Sequence, residues 1–168
     1  TGLDSGEFAD VFSRMGPESA SPAADLVRAA QDLARNDVDR GRAHLHQAEA
    51  RLVTGEPSAA ARLSCALLEA LTARLTGSPK DAEQAAEAAQ DLQRTLPGHL
   101  LDRHPELPAL LLTHLGSARL WPGRFEDARV ALQTVADSKR QAATALAREE
   151  ALAHLALIDY LDGWPGRA

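Results

Sequence analysis

The chain has 168 residues, 25% of them charged and only 4% aromatic, with a formal net charge of −6 and a pI near 5.5. That length suits one domain able to bury a real core, and the acidic balance argues against holding a phosphate backbone as its main task. The single cysteine, Cys65, excludes an internal disulfide framework and suits a reducing cytoplasm, and no apolar run reaches the roughly 18 residues of a membrane span.

Alanine and leucine dominate the apolar residues and β-branched residues are few, so helix is expected almost throughout. Thr1 to Glu7 show no basic stretch leading into an apolar one, so no signal peptide is expected. Phe8, Val11, Phe12 and Met15 form the stripe of a short lead-in helix, closed by Gly16-Pro17. Ser21-Pro22 is a cap followed by a first-turn proline and opens a helix to about Arg35. Asn36-Asp37 breaks it, and Asp37 or Asp39 caps a second helix to about Val53. Pro57 stands near the start of a third helix ending at Thr76, and Gly77-Ser78-Pro79 leads into a fourth reaching about Thr95. From Leu96-Pro97-Gly98 to about Pro105 the pattern predicts the longest irregular stretch. A fifth helix, with Pro108 in its first turn, carries Leu110 to Leu120. A sixth spans Arg124 to Ala136, and a long seventh runs from about Lys139 to Asp162-Gly163.

Asn36, Gly77, Gly123 and Gly166 fall in the turns between helices at intervals of forty-odd residues, the spacing of stacked helical hairpins. Trp121-Pro122-Gly123-Arg124 returns literally as Trp164-Pro165-Gly166-Arg167. The expected organisation is a single helical-repeat domain: a lead-in over 1–21, hairpins over 22–53, 57–95 and 107–136, and an incomplete one over 139–168. Half a hairpin cannot bury its apolar face, so the chain is expected to be part of a longer protein.

Leu115-Gly116, Gly123, Phe125 and Ala128 closely resemble a tetratricopeptide repeat: Leu-Gly in the first helix, a glycine turn, an aromatic, then a small residue in the second helix. Gly116 and Ala128 are small where the two helices would meet, and Gly123 supplies the backbone freedom of the turn. Ala29, Asn36, Val38 and Gly41 form a looser copy, as do Ala70, Gly77, Lys80 and Ala82. The resemblance implies an all-α, tetratricopeptide-like superhelix (an α-α solenoid) of about seven to eight antiparallel helices. The spacing exceeds that repeat's usual length of about 34 residues, which leaves a HEAT-like arrangement open. The run from Leu110 to Ala131, with Ala153 to Asp162, also resembles the helical region of large actinobacterial LuxR-family, maltose-regulator-like transcriptional regulators. Such proteins carry a nucleotide-binding module before this region and a helix-turn-helix after it. The resemblance therefore implies a regulatory or sensor module, with DNA binding located elsewhere in the full chain and not in this segment.

No phosphate-binding loop, dinucleotide fingerprint, nucleophile elbow or zinc-protease motif occurs. No catalytic residue, cofactor or metal is therefore assigned, and the chain is read as a binding module, not an enzyme. Cys65 is expected as a small buried apolar residue. His44 and His46 lie on different helix faces, and His99, Asp102, His104 and Glu106 are expected in a solvated connector. Glu150 and His154 are expected to pair along one helix.

In stacked hairpins the first helices line the concave face. Counted back from the turns, that face offers Ser64, Leu67, Leu71, Arg74, Leu110, Thr113, Ser117, Leu120 and, at its rim, Trp121. Its apolar character, interrupted by an exposed Arg74, suits a protein partner or a small effector. A free-standing tetratricopeptide-type interaction scaffold, unrelated to transcription, is the alternative. Either would be cytoplasmic, with no membrane contact.

Overall fold

The computed structural model describes residues 21–54, 59–138 and 142–163. Every regular element among them is helical, and none is a strand. The α-helices are α1 (Pro22–Ala34), α2 (Val38–Thr54), α3 (Ala59–Leu75), α4 (Pro79–Arg94), α5 (Gly98–Arg103), α6 (Glu106–Leu120), α7 (Phe125–Ala136) and α8 (Ala145–Leu161), the last entered through one 3₁₀ turn, Ala142–Thr144. The expected lead-in helix, Pro57 and the second Trp-Pro-Gly-Arg lie outside the described residues.

Local chemistry sets the ends. Extended Ser21 accepts the Ala24 N–H at 3.2 Å, and Pro22 follows where no intrahelical N–H is needed. Asp37, not Asp39, caps α2, its carboxylate taking the Arg40 N–H at 3.3 Å. The stretch expected to be irregular instead holds α5, which starts after extended Pro97 with the Leu100 N–H bonded to the Pro97 carbonyl. Leu96 is buried, and Leu100 and Leu101 are partly buried, against the core formed by α3, α4 and α6, a gain that favours the helix despite the breaker residues.

The turns from α1 to α2, from α3 to α4 and from α6 to α7 have one chemistry. Asn36, Gly77 and Gly123 adopt left-handed φ values of 61°, 74° and 84°. After each, the next N–H reaches five residues back: Asp37 to the Asp32 carbonyl at 2.9 Å, Ser78 to Ala73 at 3.0 Å, and Arg124 to Arg119 at 3.0 Å. These caps satisfy the last free carbonyls of each first helix and reverse the chain. Asparagine is among the few side chains that tolerate this conformation. After α8 Gly163 is also left-handed, with φ 80°, and the expected turn at Gly166 lies outside the described residues.

Measured from these turns, the helix-contact positions also coincide. Seven residues before each turn stand Ala29, Ala70 and Gly116, and five after stand Gly41, Ala82 and Ala128, all buried. A Cβ on Gly41 would come within 2.7 Å of Leu33, and one on Gly116 within 2.5 Å of Leu132. The hairpins α1/α2, α3/α4 and α6/α7 thus close on small residues. Their first helices touch in sequence, α1 to α3 to α6 to α8, while each second helix packs on its own partner and on the next first helix. No contact of comparable extent joins α2 to α4 or α4 to α7.

Candidate functional site

The row of first helices carries a cavity of about 710 Å³. Leu26 and Val27 come from α1, Ser64, Leu67, Leu68 and Leu71 from α3, Leu107, Leu110 and His114 from α6, and Leu146 and Glu150 from α8. The volume is that of a small-molecule site. Leu146, on its lining, is 75% exposed, a large apolar side chain left to water.

One end of the groove is polar. Arg74, at the end of α3, donates Nη1–H to His114 Nδ1 at 2.7 Å and Nη2–H to Glu150 Oε1 at 2.5 Å. Three helices are tied through one guanidinium that is only 18% exposed. Burial, with the Arg74 charge beside it, brings the His114 pKa down to about 4 against a smaller opposing pull from Glu150, so the ring is neutral at pH 7. With Nδ1 accepting, the neutral ring carries its proton on Nε2. His154, one turn beyond Glu150, is also held below the usual histidine range by burial.

Of the residues expected on the concave face, Ser64, Leu67, Leu71 and Leu110 line the groove. Arg74 does not stand exposed between leucines; it is the tie just described. Thr113, Ser117 and Leu120 are buried, with exposures of 0%, 0% and 2%. The cause is the position of α6, which is packed by α3 and α4 on one side and by α7 and α8 on the other, leaving half-buried Leu110 on the groove wall, flanked by the nearly covered Leu107 and His114. Thr113 Oγ1 bonds the Ala109 carbonyl at 2.9 Å and the Ala147 carbonyl of α8 at 3.4 Å. Trp121 is 63% exposed and borders a separate hollow of about 380 Å³ with Gly77, Pro79, Ala118 and Arg74. Glu150 reaches across to Arg74 instead of along its own helix to His154. Sequence reasoning placed neither His114 nor Glu150, expected as the partner of His154, at the groove; both reach Arg74 only because α6 packs on α3 and on α8. It also missed Val27, which enters from the first hairpin.

A second polar cluster joins α2 and α3. Ligand atoms of Glu49, Cys65 and Glu69 lie within 4.8 Å of one another, and His46 Nδ1 is 3.0 Å from Glu49. The two carboxyl groups share a hydrogen bond. Burial first, then Glu49, push Glu69 up to about 7, while that bond holds Glu49 down. Burial and the two carboxylates push the Cys65 thiol up to about 12, leaving it an inert SH. A carboxyl whose folded pKa is raised stabilises the fold below its unfolded value and loses that contribution as pH climbs through the folded value. Between pH 4.5 and about 7, Glu69 should therefore cost the fold stability, about 1 kcal/mol after allowance for the water that reaches it. Glu69→Gln keeps a hydrogen bond without the charge and should flatten that segment of the profile. Urea midpoints for both proteins at pH 5 and pH 8 check it, and parallel profiles would refute the shared proton.

Charge elsewhere is paired across hairpins: Glu83 of α4 holds Arg119 of α6 at 3.3 Å and also Arg124, which keeps its carboxyl below the usual range. Arg129 of α7 holds Asp159 of α8 at 2.6 Å. Among the described residues no helix is long and apolar enough to cross a membrane. No family model, curated protein or solved structure matches the chain.

Proposed function

We propose that the chain is a tetratricopeptide-like regulatory module of a larger, LuxR-family transcriptional regulator, cytoplasmic, and that it binds an effector instead of catalysing a reaction. The observation that carries this reading is the groove on the row of first helices, apolar along its walls and closed at one end by a tied polar group. Repeat arrays use that face for recognition. Because the groove draws on α1, α3, α6 and α8, its occupant touches every hairpin and biases their relative positions, which is what a sensor between two other modules requires.

The test has two parts. The locus should encode a phosphate-binding loop upstream and a helix-turn-helix downstream. In the full-length regulator, Ser64→Phe, which fills the groove, should abolish the inducible change of a reporter transcript, while Arg42→Ala on exposed α2 surface leaves it intact. A locus with neither module would move the chain to a free-standing interaction scaffold.

A further inference from the structure

The groove's polar end restricts what can enter. Resting on the reading of this groove as the binding face, we infer that it takes one small, uncharged, mostly hydrocarbon molecule whose single hydroxyl, or equivalent donor–acceptor group, pairs with His114 and Glu150.

Volume sets the class of occupant. About 710 Å³ lies within the roughly 300–1,000 Å³ of small-molecule sites. An extended peptide would bring a row of backbone N–H and C=O groups against walls of Leu26, Leu67, Leu71 and Leu110, which offer them nothing. A hydrocarbon body leaves no polar group stranded there and covers Leu146, otherwise mostly open to water.

Charge sets the head group. Among the described residues the cation tied to this end is Arg74, which already donates to Glu150 at 2.5 Å, so it has no uncompensated charge for a carboxylate or phosphate, and Glu150 would repel either one. The same pair leaves no unmatched anion for an ammonium group, whose desolvation would go uncompensated. A neutral polar group has partners. The buried His114 ring accepts from Arg74 through Nδ1 and so carries an N–H at Nε2, and Glu150, a third exposed, accepts. A hydroxyl both accepts and donates, which matches that pair. Discrimination by such a site is large because a mismatched ligand leaves a buried polar group unpaired.

The probe is N-phenylnaphthylamine, a neutral apolar fluorophore, titrated into the 168-residue chain and displaced with n-octanol, octanoate or octylammonium, which share one tail. Saturable one-site binding is expected, with octanol displacing the probe at concentrations at least about tenfold below either ion. Ser64→Phe and Val27→Phe, which fill the groove from two different helices, should each abolish probe binding while circular dichroism melts show the fold intact. Val130→Phe, on exposed α7 surface, should bind as the parent chain does. Glu150→Gln should narrow the gap between octanol and octanoate. Absence of saturable binding, equal displacement by octanoate, or unchanged binding in both filled variants would overturn the inference. If Ser64→Phe silences the full-length regulator but no octyl compound displaces the probe, the face reads a protein: this inference fails and the regulatory reading stands. If octanol displaces the probe but the filled variants leave transcription unchanged, the site stands and the regulatory reading fails.

Discussion

Gly116→Val is expected to lower the thermal unfolding midpoint by roughly 6–12 °C, the shift that about 3 kcal/mol produces in a chain of this size. Two effects oppose each other. Valine is the better helix former in a helix interior, by a few tenths of a kcal/mol. Against that, its Cβ would sit 2.5 Å from Leu132 Cγ, and Leu132 has no exposed surface and packs among Val135, Ala136 and Leu155, so it cannot swing clear. Overpacking wins by several-fold. Gly98→Val adds its side chain where nothing lies within 4 Å and should move the midpoint little. Ala128→Leu, at the matching position of α7, should be damaging for the same reason. Ala136, at the end of the same helix, is only 4% exposed beneath α8 and should not accept a larger side chain either, whereas Val130, 71% exposed, should. Calorimetric melts of Gly116→Val and Gly98→Val decide the matter, and equal midpoints would remove the close contact on which the hairpin register rests.

Arg74→Ala should cost about 2 kcal/mol at pH 7, far more than an exposed arginine such as Arg42. The loss comes from what is left behind: Glu150 without a partner and the buried His114 Nδ1 without a donor. Glu150 keeps a third of its side chain exposed, which holds the penalty below that of a fully buried pair. The double variant Arg74→Ala/Glu150→Gln should recover part of the loss, giving a coupling energy in a mutant cycle. Loss of the neighbouring charge should also raise the His114 pKa, readable by NMR titration. Because that pKa lies below its unfolded value, His114 costs stability as pH falls from the ordinary histidine range toward about 4, and the variant should show a shallower decline there. Additive single effects with an unmoved His114 would show that the three side chains are not one unit.

Helix identity and hairpin pairing were legible because they rest on local signals. Pro22, Asn36, Gly77 and Gly123 act through their own backbone, Ser21 through a hydroxyl that takes a nearby N–H, and Ala29, Gly41, Ala70, Ala82, Gly116 and Ala128 report a contact within one hairpin. Helix α5 was not legible, since Pro97 and Gly98 signal a break while Leu96, Leu100 and Leu101 find cover only in the core that α3, α4 and α6 build together. The site divides the same way. Ser64, Leu67, Leu71 and Leu110 follow from helix periodicity and the turn positions. Thr113, Ser117 and Leu120 sit on the same expected face yet are sealed, because α8 and α4 close on α6 from two sides. Arg74 reads in sequence as a solvated charge; only the arrival of Glu150 from α8 makes it a clasp.

Lateral contact between α2 and α4 is slight, and α4 meets the head of α7 through the Glu83–Arg124 ion pair, so the molecule is mechanically lopsided. It resembles a fan whose slats are joined along one edge and braced from behind, since each second helix also holds the first helix that follows it. An object wedged along that edge works with short leverage and long reach, since a fraction of an ångström of separation between α3 and α8 sweeps the outer tips through a larger arc. Rigidity in this chain is thus directional, and the Arg74 clasp sits on the stiff side, at the pivot.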